Sequence, residues 1–114
     1  MEFYNDTYCV YMHTNKIDGK KYVGQTCQKT NERWKNGKGY ENSTYFYNAI
    51  LKYGWDNFEH EIIASNLTKE EADNFEALLI DKLDLMNRNK GYNLMSGGSG
   101  GRPSKEVLKK RARQ

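Results

Sequence analysis

Apolar and polar positions alternate with a period of two in three stretches of this chain. Tyr8-Cys9-Val10-Tyr11-Met12 and Lys21-Tyr22-Val23-Gly24 read as the centres of strands over 7–14 and 20–26. Between them lies Asn15-Lys16-Ile17-Asp18-Gly19-Lys20, and an Asp-Gly step between alternating runs signals a hairpin. An even-numbered loop, whether 18–19 or 16–19, pairs residues whose numbers sum to an odd value. That parity puts Tyr11, Tyr22 and Gly24 on one face. Residues 57–65 alternate as well, with Phe58, His60 and Ile62 facing one way and Glu59, Glu61 and Ile63 the other. They are the third predicted strand.

Three other stretches carry helical signals. Residues 30–36 fit a short helix with Thr30 as N-cap, broken by Asn36-Gly37-Lys38-Gly39. Ser43 to Tyr53 places Phe46, Ala49, Ile50 and Tyr53 on one face, with Gly54 just past the end. The third helix is announced by Thr68 and Glu71, a capping box, with Leu67 placed to staple onto Ala72. Ala72, Phe75, Leu79 and Leu83 then form an apolar stripe, and Gly91-Tyr92-Asn93-Leu94 follows as an ordered stretch. The order β-β-α-α-β-α predicts an α+β fold: a small three-stranded antiparallel sheet flanked by helices. The domain should occupy 1–96. Residues 97–114 read as a linker, Gly97-Gly98-Ser99-Gly100-Gly101, and a basic tail opened by Pro103-Ser104-Lys105-Glu106.

Composition narrows the class. A chain of 114 residues is one domain with room for a tail. Hydrophobic content of 37% and a mean hydropathy of −1.00 leave a small core. Nine Tyr, two Trp and four Phe compensate, because aromatics bury large areas. Cys9 and Cys27 make neither a disulfide framework nor a zinc knuckle and read as reduced thiols in a cytosolic protein. No stretch reads as a signal peptide, and the longest apolar run is far too short to span a membrane. Charge is segregated: residues 16–38 carry a net +5, 56–84 a net −7, and 102–114 a net +5. Basic blocks at both ends suit a polyanion partner, although solvated faces and a basic tail give the same count.

Glu76 is the residue whose place calls for chemistry. Its helical angle is about 40° from that of Ala72, inside the apolar stripe. A carboxylate there is costly unless it is paired or binds a metal. Pairing with a Lys or Arg at the stripe edge is an equally good reading of the sequence. Arg33, in Glu32-Arg33-Trp34-Lys35, is of the type suited to bidentate phosphate contact. His13 and His60 are general-base candidates by type, His13 on the face of Tyr11 and His60 in a more structural position. No phosphate-binding Gly-rich loop and no zinc spacing is present.

These residues together resemble the GIY-YIG nuclease family. Cys9-Val10-Tyr11 stands where that family has Gly-Ile-Tyr, and Tyr22-Val23-Gly24 where it has Tyr-Ile-Gly, at the usual spacing. Arg33-Trp34 resembles its first-helix arginine, and Lys52-Tyr53-Gly54 with Phe58-Glu59 the segment before its third strand. Glu76 aligns with its metal-binding glutamate and Gly91-Tyr92-Asn93 with its terminal Gly-Tyr-Asn. The likeness covers roughly residues 7–96 and is nearest to intron-type homing endonucleases. Those carry a linker and small DNA-binding modules after the nuclease domain, and residues 97–114 resemble the start of such a region. Cys9 replaces the first glycine of the motif. Gly37 stands where many members have His, Tyr or Lys, one turn after the arginine.

The resemblance implies metal-dependent hydrolysis of DNA phosphodiester bonds. Mg²⁺, with Mn²⁺ as a substitute, would sit on Glu76. Arg33 would offset charge on the phosphorane, and Asn93 would hold a tyrosine or a phosphate oxygen. Tyr22 or Tyr11 would activate the water, provided Arg33 or the metal lowers a phenol pKa from about 10. Gly24, His13, Lys35 and Tyr40 would lie against the substrate, and Tyr40, Lys35 or His13 could replace the side chain missing at Gly37. The implied partner is DNA, with no membrane, in the cytoplasm of a bacterial or phage-infected cell; the oligomeric state stays open. Two other readings stand beside this one: a nucleic-acid-binding module without catalysis, and an interaction domain using tyrosines such as Tyr45 and Tyr47.

Overall fold

The computed structural model describes residues 7–95, and a three-stranded antiparallel sheet lies at its centre. Strand β1 (Tyr8–Asn15) runs between β2 (Lys21–Thr26) and β3 (Phe58–Leu67). In the hairpin, Tyr11 pairs with Gly24 and His13 with Tyr22. This register selects the four-residue loop 16–19, closed by Asn15 N to Lys20 O (2.9 Å) and Gly19 N to Asn15 O (2.8 Å). Gly19 takes φ +80°, a conformation that side chains disfavour. Tyr11, His13, Tyr22 and Gly24 share one face, as the parity requires. On the other side β1 pairs with β3, His13 opposite His60, with a register shift around Val10.

The helices are α1 (Thr30–Trp34), α2 (Thr44–Tyr53) and α3 (Lys69–Lys82). Helix α1 is shorter than its sequence signal, and Lys29, not Thr30, is its N-cap. Lys35, Asn36 and Gly37 all adopt positive φ, so the chain leaves the helix at Trp34 and turns through a 3₁₀ segment, Lys35–Tyr40. A further 3₁₀ turn, Trp55–Asn57, leads into β3. The capping box of α3 is complete: Glu71 N donates to Thr68 Oγ1 (3.1 Å) and Thr68 N to Glu71 Oε1 (2.9 Å). The buried arc of α3 is Ala72, Glu76, Ala77 and Ile80. Phe75 and Leu79 flank it, and Leu83 is 36% exposed. The stripe through Leu83 is therefore corrected. The chain leaves the helix there, and Leu85 fills the core instead.

The sheet is covered on both faces. Tyr11, Tyr40, Phe46, Ile50, Phe58 and Tyr92 form an aromatic core with α2 on one side. Val10, Val23, Ala72, Ile80 and Leu85 form a smaller aliphatic core with α3 on the other. Both cysteines are free thiols. Among the described residues no helix is long and apolar enough to cross a membrane. The linker and basic tail expected over 97–114 lie outside the described residues.

Candidate active site

Strand β2 has a free edge, and the segment after α3 returns along it. Lys21 and Gly91 form a parallel bridge, and Tyr92 N donates to Lys21 O (2.9 Å). Beyond that point a side chain replaces the backbone. Asn93 Nδ2 donates to Val23 O (2.9 Å), and Asn93 Oδ1 accepts from Val23 N (3.0 Å). The amide thus pairs with β2 as a strand would. A cleft of about 310 Å³ opens beside this seam. Tyr22 from β2, Arg33 from α1, Ser43 and Phe46 at α2, Glu76 from α3 and Asn93 all line it. Elements packed on opposite faces of the sheet meet here because β2 ends the sheet.

Arg33 is held by the turn that follows it. Its Nη1 donates to Gly39 O (2.7 Å), and its guanidinium lies 4.5 Å from the Tyr40 ring centroid. A Cβ on Gly39 would sit 1.9 Å from the Arg33 carbonyl oxygen, so only glycine permits this turn. The stretch Asn36-Gly37-Lys38-Gly39 does more than end a helix: it folds back to fix the arginine.

Glu76 is 7% exposed and belongs to a polar network on the α3 side. Gln25 Nε2 donates to Glu76 Oε1 and to Asp73 Oδ1, both at 2.7 Å. Lys69 Nζ in turn reaches Gln25 Oε1 (3.1 Å) and Asp73 Oδ1 (2.9 Å). Buried carboxylates need such partners. Sequence reasoning missed Gln25. Strand alternation places it on the α3 face, but nothing in the sequence ties it to Glu76 across 51 positions.

The two motif tyrosines differ in setting. Tyr22 lines the cleft beside Ser43, its ring stacked on Phe46 (4.4 Å between centroids, 3° between planes). Tyr11 is 1% exposed and lies beneath, its ring packed against His13 and Trp34. A Cβ on Gly24 would come within 2.6 Å of Tyr11 Oη, so the glycine opposite makes room for the phenol. Burial pushes both phenols above their ordinary range, and the nearby Arg33 only partly opposes it. Arg33 alone therefore does not lower a phenol pKa as a phenol base would need. Desolvation outweighs the cation, and both tyrosines are protonated at neutral pH in the protein alone.

Several expected substrate contacts lie elsewhere. His13 is fully buried, with Nε2 bonded to Tyr40 Oη (2.8 Å) and Nδ1 to His60 Nδ1 (2.9 Å). Burial first, then His60 and Arg33, lowers its pKa to about 2. Tyr40 is fully buried too and supports Arg33 from below. Lys35 is an exposed left-handed cap of α1, outside the cleft lining. Gly37 is buried at φ +96°, and a Cβ there would lie 2.9 Å from Ile50 Cγ2, so no side chain fits. Core packing claims His13 and Tyr40, and the expectation that these two touch substrate is corrected; Lys35 remains exposed at the end of α1.

The sequence profile of the GIY-YIG catalytic domain matches residues 7–93. Two proteins of Enterobacteria phage T4, "Putative endonuclease segD" and "Putative endonuclease segE", are each 36% identical to this chain, over 93 and 94 residues. Those alignments take in 82% and 81% of this chain but 40% and 42% of the relatives, so the chain spans about two fifths of their length. Among solved structures, a mutant of the catalytic domain of the intron endonuclease I-TevI matches the fold with a TM-score of 0.65 at 23% identity, covering 80% of this chain and 96% of that one. With that profile matched over residues 7–93, most of its length, the chain belongs to the GIY-YIG catalytic-domain family.

Proposed function

We propose that this chain is a metal-dependent DNA endonuclease, similar to homing endonucleases, that hydrolyses phosphodiester bonds in the cleft at the β2 edge. One observation carries the reading: a guanidinium, a buried carboxylate and a phenol from three elements converge on one cleft. Arg33 supplies planar donors to a phosphate and offsets the charge that develops on it. Its bond to Gly39 holds the guanidinium before substrate arrives, so little reorganisation is needed. Tyr22, held by its stack on Phe46 and protonated, orients the attacking water and does not act as a phenolate base.

Glu76 is the residue that would hold a Mg²⁺ ion. Among the described residues no group of three His, Cys, Asp or Glu could hold a metal, so the fit is to an ion that keeps waters and takes phosphate oxygens. When bound, such an ion polarises the phosphate and stabilises the leaving oxygen; Mn²⁺ is expected to substitute. Asn93 keeps the cleft wall aligned with β2 through its two bonds to Val23. Residues 97–114, with six Lys/Arg against one acid, add phosphate contacts without sequence preference.

Supercoiled plasmid incubated with the chain and Mg²⁺ tests the proposal. Nicked product that disappears with chelator supports it. Salt-sensitive binding without cleavage in Mg²⁺ or Mn²⁺ would leave only a binding module.

A further inference from the structure

Arg33 rests on two supports, and both lead to Trp55. Its Nη1 donates to Gly39 O in the turn after α1, and its guanidinium lies on the ring of Tyr40, the last residue of that turn (4.5 Å to the centroid). The turn is packed on the Trp55 ring: a Cβ on Gly37 would lie 3.0 Å from Trp55 Cε3. Tyr40 is held by its hydroxyl. Tyr40 Oη bonds His13 Nε2 (2.8 Å), His13 Nδ1 bonds His60 Nδ1 (2.9 Å), and His60 Nε2 meets the carbonyl oxygen of Trp55 (3.2 Å). A carbonyl only accepts, so it sets the direction of the chain. His60 donates from Nε2 and accepts at Nδ1. His13 donates from Nδ1 and accepts at Nε2, and Tyr40 donates to His13.

Each ring of this chain has a defined place. His13, on β1, is fully buried and stands edge-on to Tyr40 (5.4 Å between centroids, 80° between planes). His60, opposite it on β3, is half-buried and stacked on Trp55 (4.0 Å, 23°). Burial lowers the pKa of both histidines, so both are neutral near pH 7. Neutral imidazole has one donor and one acceptor, which is what each ring uses here. Packing alone leaves a phenol free to slide along its own plane, whereas a hydroxyl bond fixes it at one point. The face that Tyr40 turns to Arg33 is therefore set by two histidines that do not line the cleft.

We propose that His13 and His60 are positioning residues for Arg33. Through Tyr40 they fix the surface on which the guanidinium lies, and so the angle at which its donors meet a phosphate. The inference rests on the hydrolytic reading of the cleft. A planar fork makes its two-point contact with a phosphate only when its plane is aligned. The Gly39 carbonyl holds one nitrogen of that fork, and the Tyr40 ring sets the plane. No proton moves along the chain: its bonds act before substrate arrives, by sparing Arg33 a search for its orientation.

The ¹⁵N–¹H signal of Arg33 Nε in the free protein reads this contact, because the Tyr40 ring current displaces it from the usual arginine position. Single-turnover nicking of supercoiled plasmid in Mg²⁺ reads its consequence. His60→Phe keeps a ring to stack on Trp55 but removes both hydrogen bonds. Tyr40→Phe keeps the ring beneath Arg33 but removes the bond to His13. Both are expected to move the Arg33 signal toward the usual position and to slow nicking about ten- to a hundredfold at unchanged DNA affinity. His60→Gln, which both donates and accepts, should recover most of each. Val10→Ala, in the aliphatic core on the other face of the sheet, controls for stability: it should lower the melting temperature and leave signal and rate in place. A folded His60→Phe or Tyr40→Phe protein with the wild-type signal and rate overturns the inference, and so does an equal loss in Val10→Ala. Wild-type protein that cuts no DNA overturns the hydrolytic reading instead, and the Arg33 signal of the variants then still decides whether the histidines hold the guanidinium.

Discussion

Replacing Gly24 with alanine puts a methyl group where the structure has no space. The new Cβ would lie 2.6 Å from Tyr11 Oη and 2.8 Å from both Cε1 and Cζ. To reach ordinary contact at 3.4 Å, the hydroxyl must retreat by about 0.8 Å. Little lets it do so. The Tyr11 ring is wedged against His13 (5.1 Å between centroids) and Trp34 (5.4 Å). Gly24 is itself paired with Tyr11 in the ladder and cannot move aside. Overpacking of this kind costs about 1–3 kcal/mol. At about 2 kcal/mol, a domain of this size loses roughly 8–16 °C in Tm. Circular dichroism melting of Gly24→Ala measures the loss, and the cleavage rate should fall with it because Tyr11 Oη is displaced. Adding Tyr11→Phe should recover only part of the stability, since the two ring-carbon contacts remain. A Gly24→Ala protein with wild-type Tm and wild-type cleavage would refute the close-approach argument.

Asn93→Ala strips Val23 of both edge partners and should cost about 1–3 kcal/mol. Faster hydrogen exchange at the Val23 amide is the specific readout, and unchanged exchange would mean that the Asn93 amide does not pair the strand. Gln25→Ala removes the donor that orients Glu76 and should lower metal-dependent cleavage by about 10–100-fold with the fold kept; an unchanged metal titration contradicts that role. Stability should also depend on pH through His13. Its folded pKa of about 2 lies below the unfolded value of 6.5, so below 6.5 the unfolded chain binds more protons. His13 stabilisation is full above that pH and declines as pH falls, by up to about 1.4 kcal/mol per pH unit, with His60 adding in the same direction. Urea midpoints measured from pH 8 to pH 5 check this, and a flat profile would contradict the buried neutral histidine.

Most of the fold was legible because its signals are local. The Asp18-Gly19 step, the period-two runs and the Thr68–Glu71 capping box each depend on neighbours in sequence, and the sheet and α3 form where they indicate. The register followed from parity once the loop length was known. The misplaced details belong to tertiary packing. Lys35 and Asn36 at positive φ carry no strong sequence signal, and they end α1 early. Leu83 continued a stripe by type, yet the chain turns before it can be buried.

The cleft was legible in part. Glu76 stood out as a carboxylate among apolar neighbours, and Arg33, Tyr22 and Asn93 were carried by their motifs. The fates of His13 and Tyr40 were not legible. Residue type suggested solvent and substrate, whereas a polar wire across 27 positions lets both be buried. Gln25 was missed for the same reason, since its partners lie on a helix far along the chain. The phenol pKa was not legible, because a charge partner can be guessed from sequence, while the depth of burial that opposes it cannot.

The central claim is that Arg33 and Glu76 convert a DNA-binding cleft into a cutting one. Single-turnover nicking of supercoiled plasmid in Mg²⁺ tests it most directly, comparing the wild-type chain with Arg33→Ala and Glu76→Ala proteins of native circular dichroism. The account predicts metal-dependent nicking by the wild type and none above background by either variant. Undiminished metal-dependent nicking by both folded variants would contradict it.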